Sequence, residues 1–125
     1  MVILDTCALI ELCKNKITLS KKSLRLIEKG AYVLSISFAE IACKVKLGKL
    51  EMNITPRKLY QEFKSIKNIT IIDVSVDEWL DSIELEWPTN KDPADRLITA
   101  FAIKKNLPVI TNDRGIKQFY KTVHW

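Results

Sequence analysis

Apolar residues in this 125-residue chain fall into two kinds of stretch, and their spacing separates strands from helices. Short runs rich in β-branched residues, "VIL" at 2–4, "YVLSI" at 32–36, "ITIIDV" at 69–74 and "PVIT" at 108–111, are too short for helices and predict buried strands. The terminal "TVHW" at 122–125 is expected to add a last strand. Between these runs, apolar positions recur at helical spacing over 6–13, 20–29, 37–48, 56–66, 76–86 and 93–105. Strands that alternate with helices need crossover connections. The expected fold class is therefore α/β, a three-layer α/β/α sandwich with a mostly parallel central sheet.

With 47% hydrophobic residues and no repeat or low-complexity linker, residues 1–125 read as a single domain. Gly30 and Gly48 fit helix stops, and no G-x-G-x-x-G or G-x-x-x-x-G-K-[ST] loop is present to cradle phosphates. The formal net charge of +5, from 20 Lys and Arg against 15 Asp and Glu, suits an anionic partner such as nucleic acid. Cys7, Cys13 and Cys43 are odd in number and lack C-x-x-C spacing, so neither a disulfide framework nor a zinc site is expected. "MVILDTCALIEL" has no basic leader region, and no apolar run approaches the ~20 residues that span a bilayer. The expectation is a soluble, cytoplasmic protein with no membrane partner.

Candidate chemistry lies in the acids. In open parallel sheets, functional groups gather beyond the carboxyl ends of the strands. Asp5 directly follows "VIL", Asp113 follows "PVIT" by two residues, and Glu40 sits in the first turn after "YVLSI". Asp95 falls in the first turn of the helix that Asp92 and Pro93 open. If the four converge, two carboxylates ~4 Å apart repel by about 4 kcal/mol at an effective dielectric of about 20. Either some protonate or a cation neutralises them. An all-oxygen site without His or Cys suits Mg²⁺ or Mn²⁺, which can bind a phosphate oxygen, acidify a water and stabilise in-line attack on a phosphodiester. Such chemistry is that of a metal-dependent nuclease.

Each acid also has a plain structural reading. Ser37 with Glu40, and Asp92 with Asp95, have capping-box spacing; Asp5 could end a strand turn, and Asp113 in "TNDRG" fits an Asx-turn. Asp73 ends its own strand before another capping pattern, "SVDE" at 75–78, so position alone does not select the functional acids. Asp92 is read mainly as a helix cap. Trp79 and Trp87, which bracket one helix, read as core or interface anchors, and Cys7 and Cys43 as small packing residues. His124, in the expected last strand, is not expected to act as a general base.

Taken in order, "ILDTCALI", "SFAEIACKVKLGKL", "DPADRLITAFA", "PVITND" and the terminal "VHW" resemble a PIN-domain protein, nearest to the VapC-type toxins of toxin–antitoxin pairs. The resemblance implies an α/β/α sandwich and a Mg²⁺- or Mn²⁺-dependent endoribonuclease, commonly a homodimer, acting on an RNA substrate and held inactive by a cognate VapB-type antitoxin. It assigns Asp5, Glu40, Asp95 and Asp113 as catalytic metal ligands and leaves Asp73 out. Thr6 and Thr111 match hydroxyl positions beside the acids, and Asp92 with Arg96 completes a D-P-x-D-R signature in which Asp92 supports the site. Lys44, Lys46, Lys49 and Arg96 are the candidate RNA contacts, set against the reading that such lysines are simply solvated. Two rival functions remain open at this point. One is a catalytically silent PIN-like module that binds RNA or protein. The other, an aspartyl-phosphate phosphatase, needs an acid where Cys7 stands.

Overall fold

The computed structural model describes residues 1–125. Five short strands form one sheet: β1 (Val2–Leu4), β2 (Ala31–Leu34), β3 (Ile69–Ile72), β4 (Val109–Ile110) and β5 (Val123–His124). Every pairing is parallel, in the order β3-β2-β1-β4-β5. Seven helices connect them: α1 (Thr6–Leu12), α2 (Lys21–Glu28), α3 (Ile36–Lys46), α4 (Pro56–Ser65), α5 (Val76–Glu84), α6 (Pro93–Lys105) and α7 (Arg114–Phe119). The last of these was not expected from the apolar spacing. Its six residues contain one fully buried apolar position, Ile116, which is too few to define a period.

Alternation along the strands divides the core between the two faces of the sheet. Val2, Leu4, Ala31 and Val33 pack with Ala8 and Leu9 of α1, Ile27 of α2, Ile41 of α3 and Leu59 and Phe63 of α4. Ile3, Leu34 and Val109 point the other way, onto Leu97, Ile98, Phe101 and Ala102 of α6. The result is a helix/sheet/helix sandwich. The middle of α6, residues 97–102, is covered all round, which matches its run of apolar residues broken only by Thr99, whereas α5 leaves Val76, Leu80 and Ile83 well exposed. No helix is long and apolar enough to cross a membrane.

The chain winds from β1 outward to β2 and β3, then returns through α5 and α6 to β4 on the far side of β1. Strand order therefore reverses between β1 and β4, and loops leaving their carboxyl ends diverge around a crevice. Asp5 follows β1 and Thr111 follows β4, so both lie at this switch point. Ile98, 1% exposed on α6, packs against the sheet beneath it. Ile98→Ala is expected to lower unfolding free energy by about 2–5 kcal/mol, as read by urea denaturation.

Candidate active site

Asp5 is where the site begins. It is buried and extended, and it serves as N-cap of α1, its Oδ1 accepting from the Ala8 N–H at 2.9 Å. The Cys7 thiol donates to the same oxygen at 2.8 Å, and the Thr111 hydroxyl donates to Oδ2. Thr111 also accepts from the Asp113 N–H at 3.0 Å, so one buried hydroxyl ties the acid after β1 to the loop after β4. Asp113 in turn caps α7 by accepting from the Ile116 N–H at 2.8 Å. The turn and cap roles of these two acids are thus real, and they fix rather than replace their place at the sheet edge.

Glu40 lies on α3, half-buried, and the expected capping box with Ser37 does not form. The helix begins a residue earlier, at Ile36, with Ser35 at its N-cap, so Ser37 is already inside the first turn. Its buried hydroxyl accepts from Thr6 Oγ1 at 3.0 Å, joining α1 to α3. At 75–78 half of the matching box forms: Ser75 accepts from the Glu78 N–H at 3.2 Å, while its hydroxyl, rather than its backbone N–H, donates to Glu78 Oε1 at 3.2 Å. At Asp95 the box is altered. Asp92 caps α6 through the N–H groups of Ala94 and Asp95, but the reciprocal partner is Asn90, whose Oδ1 accepts from the Asp92 N–H at 2.8 Å. Asn90 Nδ2 donates to Asp95 Oδ2 at 3.0 Å. Asn90 was missed in the sequence because its link to Asp95 runs through a loop with no periodic signal.

The acids share one electrostatic field. Burial, with the charges of Asp92, Asp113 and Glu40 adding to it, raises the Asp95 carboxyl to about 6 despite the Asn90 hydrogen bond. Burial also raises Asp5, opposed by its hydrogen bonds from Cys7, Thr111 and Ala8 and reinforced by Asp113. Beside Asp5, burial and the neighbouring carboxylate push the Cys7 thiol up to about 12, so it is a proton donor and no nucleophile. No lysine or arginine pairs with any of the four acids; the chain's ion pairs are Lys14–Glu11 and Lys104–Asp81. Glu11 shows the contrast, since the Lys14 ammonium at 2.8 Å and two bonds from Thr18 hold its carboxyl down at about 2.

As they stand, no three acid, imidazole or thiol side chains enclose a cation position. Asp5, Asp95 and Asp113 are each turned towards donors of their own, and ligation would exchange some of those bonds, whereas the Glu40 carboxylate accepts no hydrogen bond. The donor set nevertheless fits a hard divalent ion: carboxylate oxygens only, mutually repelling and without a cation from the chain.

Other candidates sort by geometry. Arg96 is corrected: its guanidinium donates to the carbonyls of Ser82, Ile83, Leu85, Trp87 and Asn90 at 2.5–3.3 Å, leaving no N–H for a phosphate. Lys46 and Lys49 are exposed and Lys44 half-buried, at the far end of α3. Cys43 is exposed rather than a packing residue, while Trp87 is buried and stacks on Phe119. Trp79 is 40% exposed, and Asp73 is exposed without a side-chain hydrogen bond to mark it.

A carboxyl raised in the folded state binds more protons than in the unfolded chain, so its contribution to stability is full below the ordinary value of 3.8 and is lost as pH rises through about 6. Metal-free protein is expected to lose about 1–2 kcal/mol across that window, discounted for the partial exposure of Asp95. Asp95→Asn should flatten the loss, as measured by urea denaturation at pH 4, 5, 6 and 7 in EDTA.

Comparison with known proteins places this geometry. No curated protein matches the sequence significantly. Among solved structures, a toxin–antitoxin complex from Klebsiella pneumoniae is similar with a TM-score of 0.65 and 18% identity, over 100% of this chain and 97% of that one. The structure of FitAB bound to an IR36 DNA fragment is similar with a TM-score of 0.60 and 18% identity, over 92% of this chain and 87% of that one. These likenesses are in fold. The sequence itself matches the PIN domain over residues 2–122, and the chain belongs to the PIN-domain family, whose members are typically nucleases.

Proposed function

We propose that the chain is a cytoplasmic, Mg²⁺- or Mn²⁺-dependent endoribonuclease, the VapC-type toxin of a toxin–antitoxin pair. The observation that carries the reading is the set of carboxylates at the β1/β4 switch point, coupled through Asp95 and Asp113 and left without a positive partner. Asp5, Glu40, Asp95 and Asp113 would hold the ion. When bound, it would supply positive charge for the scissile phosphate and acidify a water for attack.

The chain's own groups do the positioning. Thr111 and Cys7 orient Asp5, Asn90 orients Asp95, and the first turn of α7 orients Asp113. Thr6 acts at a distance, holding α3 and hence Glu40 against α1 through Ser37. Lys44, Lys46 and Lys49 form no ion pair within the chain and are the proposed contacts to RNA phosphates flanking the cleaved bond. His124 sits in β5, so no imidazole is proposed as a base.

The proposed partners besides RNA are a VapB-type antitoxin and a second copy of the chain. Support comes from α5, where Val76, Leu80 and Ile83 are 72%, 55% and 69% exposed along one side, an apolar face that a protein partner would bury. The neighbouring structure from Klebsiella pneumoniae is itself a toxin–antitoxin complex.

Purified protein, freed of any bound antitoxin and incubated with total RNA, is expected to give discrete fragments with Mn²⁺ or Mg²⁺ and none in EDTA. Asp5→Asn, which removes a charge at nearly constant shape, should lower the cleavage rate by at least about a hundredfold. Fragments unaffected by EDTA and by the substitution would refute the metal mechanism. Tight RNA binding without cleavage would point instead to a silent binding module.

A further inference from the structure

The loop between α5 and α6 is short of regular structure yet densely held. Arg96 spends every guanidinium N–H on carbonyls of residues 82–90, gathering the end of α5 and the loop onto the first turn of α6. Such saturation is a fork's work, since an ammonium could not reach five acceptors from one position. Two residues of the gathered loop then reach across to α7. Trp87, 5% exposed, lies flat on Phe119 with ring centroids 4.6 Å apart and planes 4° apart. Asn90 lies beside the start of the same helix: a Cβ added at Gly115 would lie 3.5 Å from Asn90 Nδ2, 3.8 Å from Trp87 Cζ2 and 3.1 Å from Asp113 Oδ2.

One loop therefore touches both helices that carry the later acids, α6 with Asp95 and α7 with Asp113. We infer that Arg96, Trp87 and Asn90 form a clamp that sets Asp95 relative to Asp113, with Asn90 as the positioning residue between them. Asn90 is suited to the task because three of its groups are engaged: its carbonyl by Arg96, its Oδ1 by the Asp92 N–H and its Nδ2 by Asp95. Gly115 is the permissive residue, since a Cβ there would press on Asp113 Oδ2 and come into ordinary contact with Asn90 and Trp87. The consequence for a cation rests on the proposed function; the coupling of α6 to α7 does not.

Two readouts separate these parts. Hydrogen exchange of metal-free protein reads the coupling: Arg96→Lys is expected to speed exchange in residues 114–119 as well as in 85–92. Calorimetric titration with Mn²⁺ reads the consequence: Asn90→Ala and Gly115→Ala should each weaken binding about tenfold, the lower end for a residue that orients a ligand. Gly115→Ala should do so with little change in Tm, because the gain in helix propensity offsets the disturbed Asp113 cap of α7. Faster exchange confined to 85–92 would overturn the clamp, as would unchanged Mn²⁺ affinity in both Asn90→Ala and Gly115→Ala. Should Arg96→Lys fail to fold, exchange in Asn90→Ala decides the coupling by the same criterion. Wild-type protein that takes up no Mn²⁺ would remove the metal site of the proposed function, and exchange alone would then uphold or overturn the clamp.

Discussion

The site is governed by the burial of carboxylates beside one another, which the fold holds together and does not neutralise. Asp95 is raised to about 6 by burial and by Asp92, Asp113 and Glu40, and Asp5 is raised by burial and Asp113. A fold selected only for stability would place a lysine or arginine there, as it does at Glu11, or an apolar residue. A chain with a formal charge of +5 has cations to spare, yet none forms an ion pair with these acids at the carboxyl ends of β1 and β4. Carboxyls raised by burial and by one another at a crevice mark a candidate functional site.

Holding such a group together takes donors rather than counter-ions, and the structure recruits them from nearby backbone and neutral side chains. Asp5 and Asp113 each cap the helix they precede, so their carboxylates are fixed by amide N–H groups that carry no full charge. Thr111 joins these two, and Asn90 anchors Asp95. The parallel sheet makes this economical, because helices that leave the carboxyl ends of β1 and β4 start side by side at the switch point. Fold and chemistry thus share residues: a cap that starts a helix also points a carboxylate.

Strand and helix positions were legible in the sequence wherever the core is. Alternating or continuous apolar runs gave β1 to β4 within two residues at each end, and the six longer helices within about two. Helix α7 escaped notice because a single buried isoleucine makes no pattern. The acids were singled out on other grounds, Asp5, Glu40 and Asp113 by their position after strands and Asp95 by its place in a helix's first turn, signals that local capping motifs mimic. Glu40 shows the limit, since its apparent cap partner Ser37 belongs to a contact with Thr6, 31 residues away in sequence. Arg96 shows it again. Its place in a D-P-x-D-R signature said nothing about the five carbonyls brought to it, two by the end of α5 and three by the loop that follows.

Crystals grown or soaked with Mn²⁺ and measured for anomalous scattering would test the central claim most directly. A peak is expected among the carboxylates of Asp5, Asp95 and Asp113, with Glu40 turned towards it. Saturating Mn²⁺ with no peak at the β1/β4 edge, or a peak only among other acids such as Asp73 or Asp81, would contradict the claim.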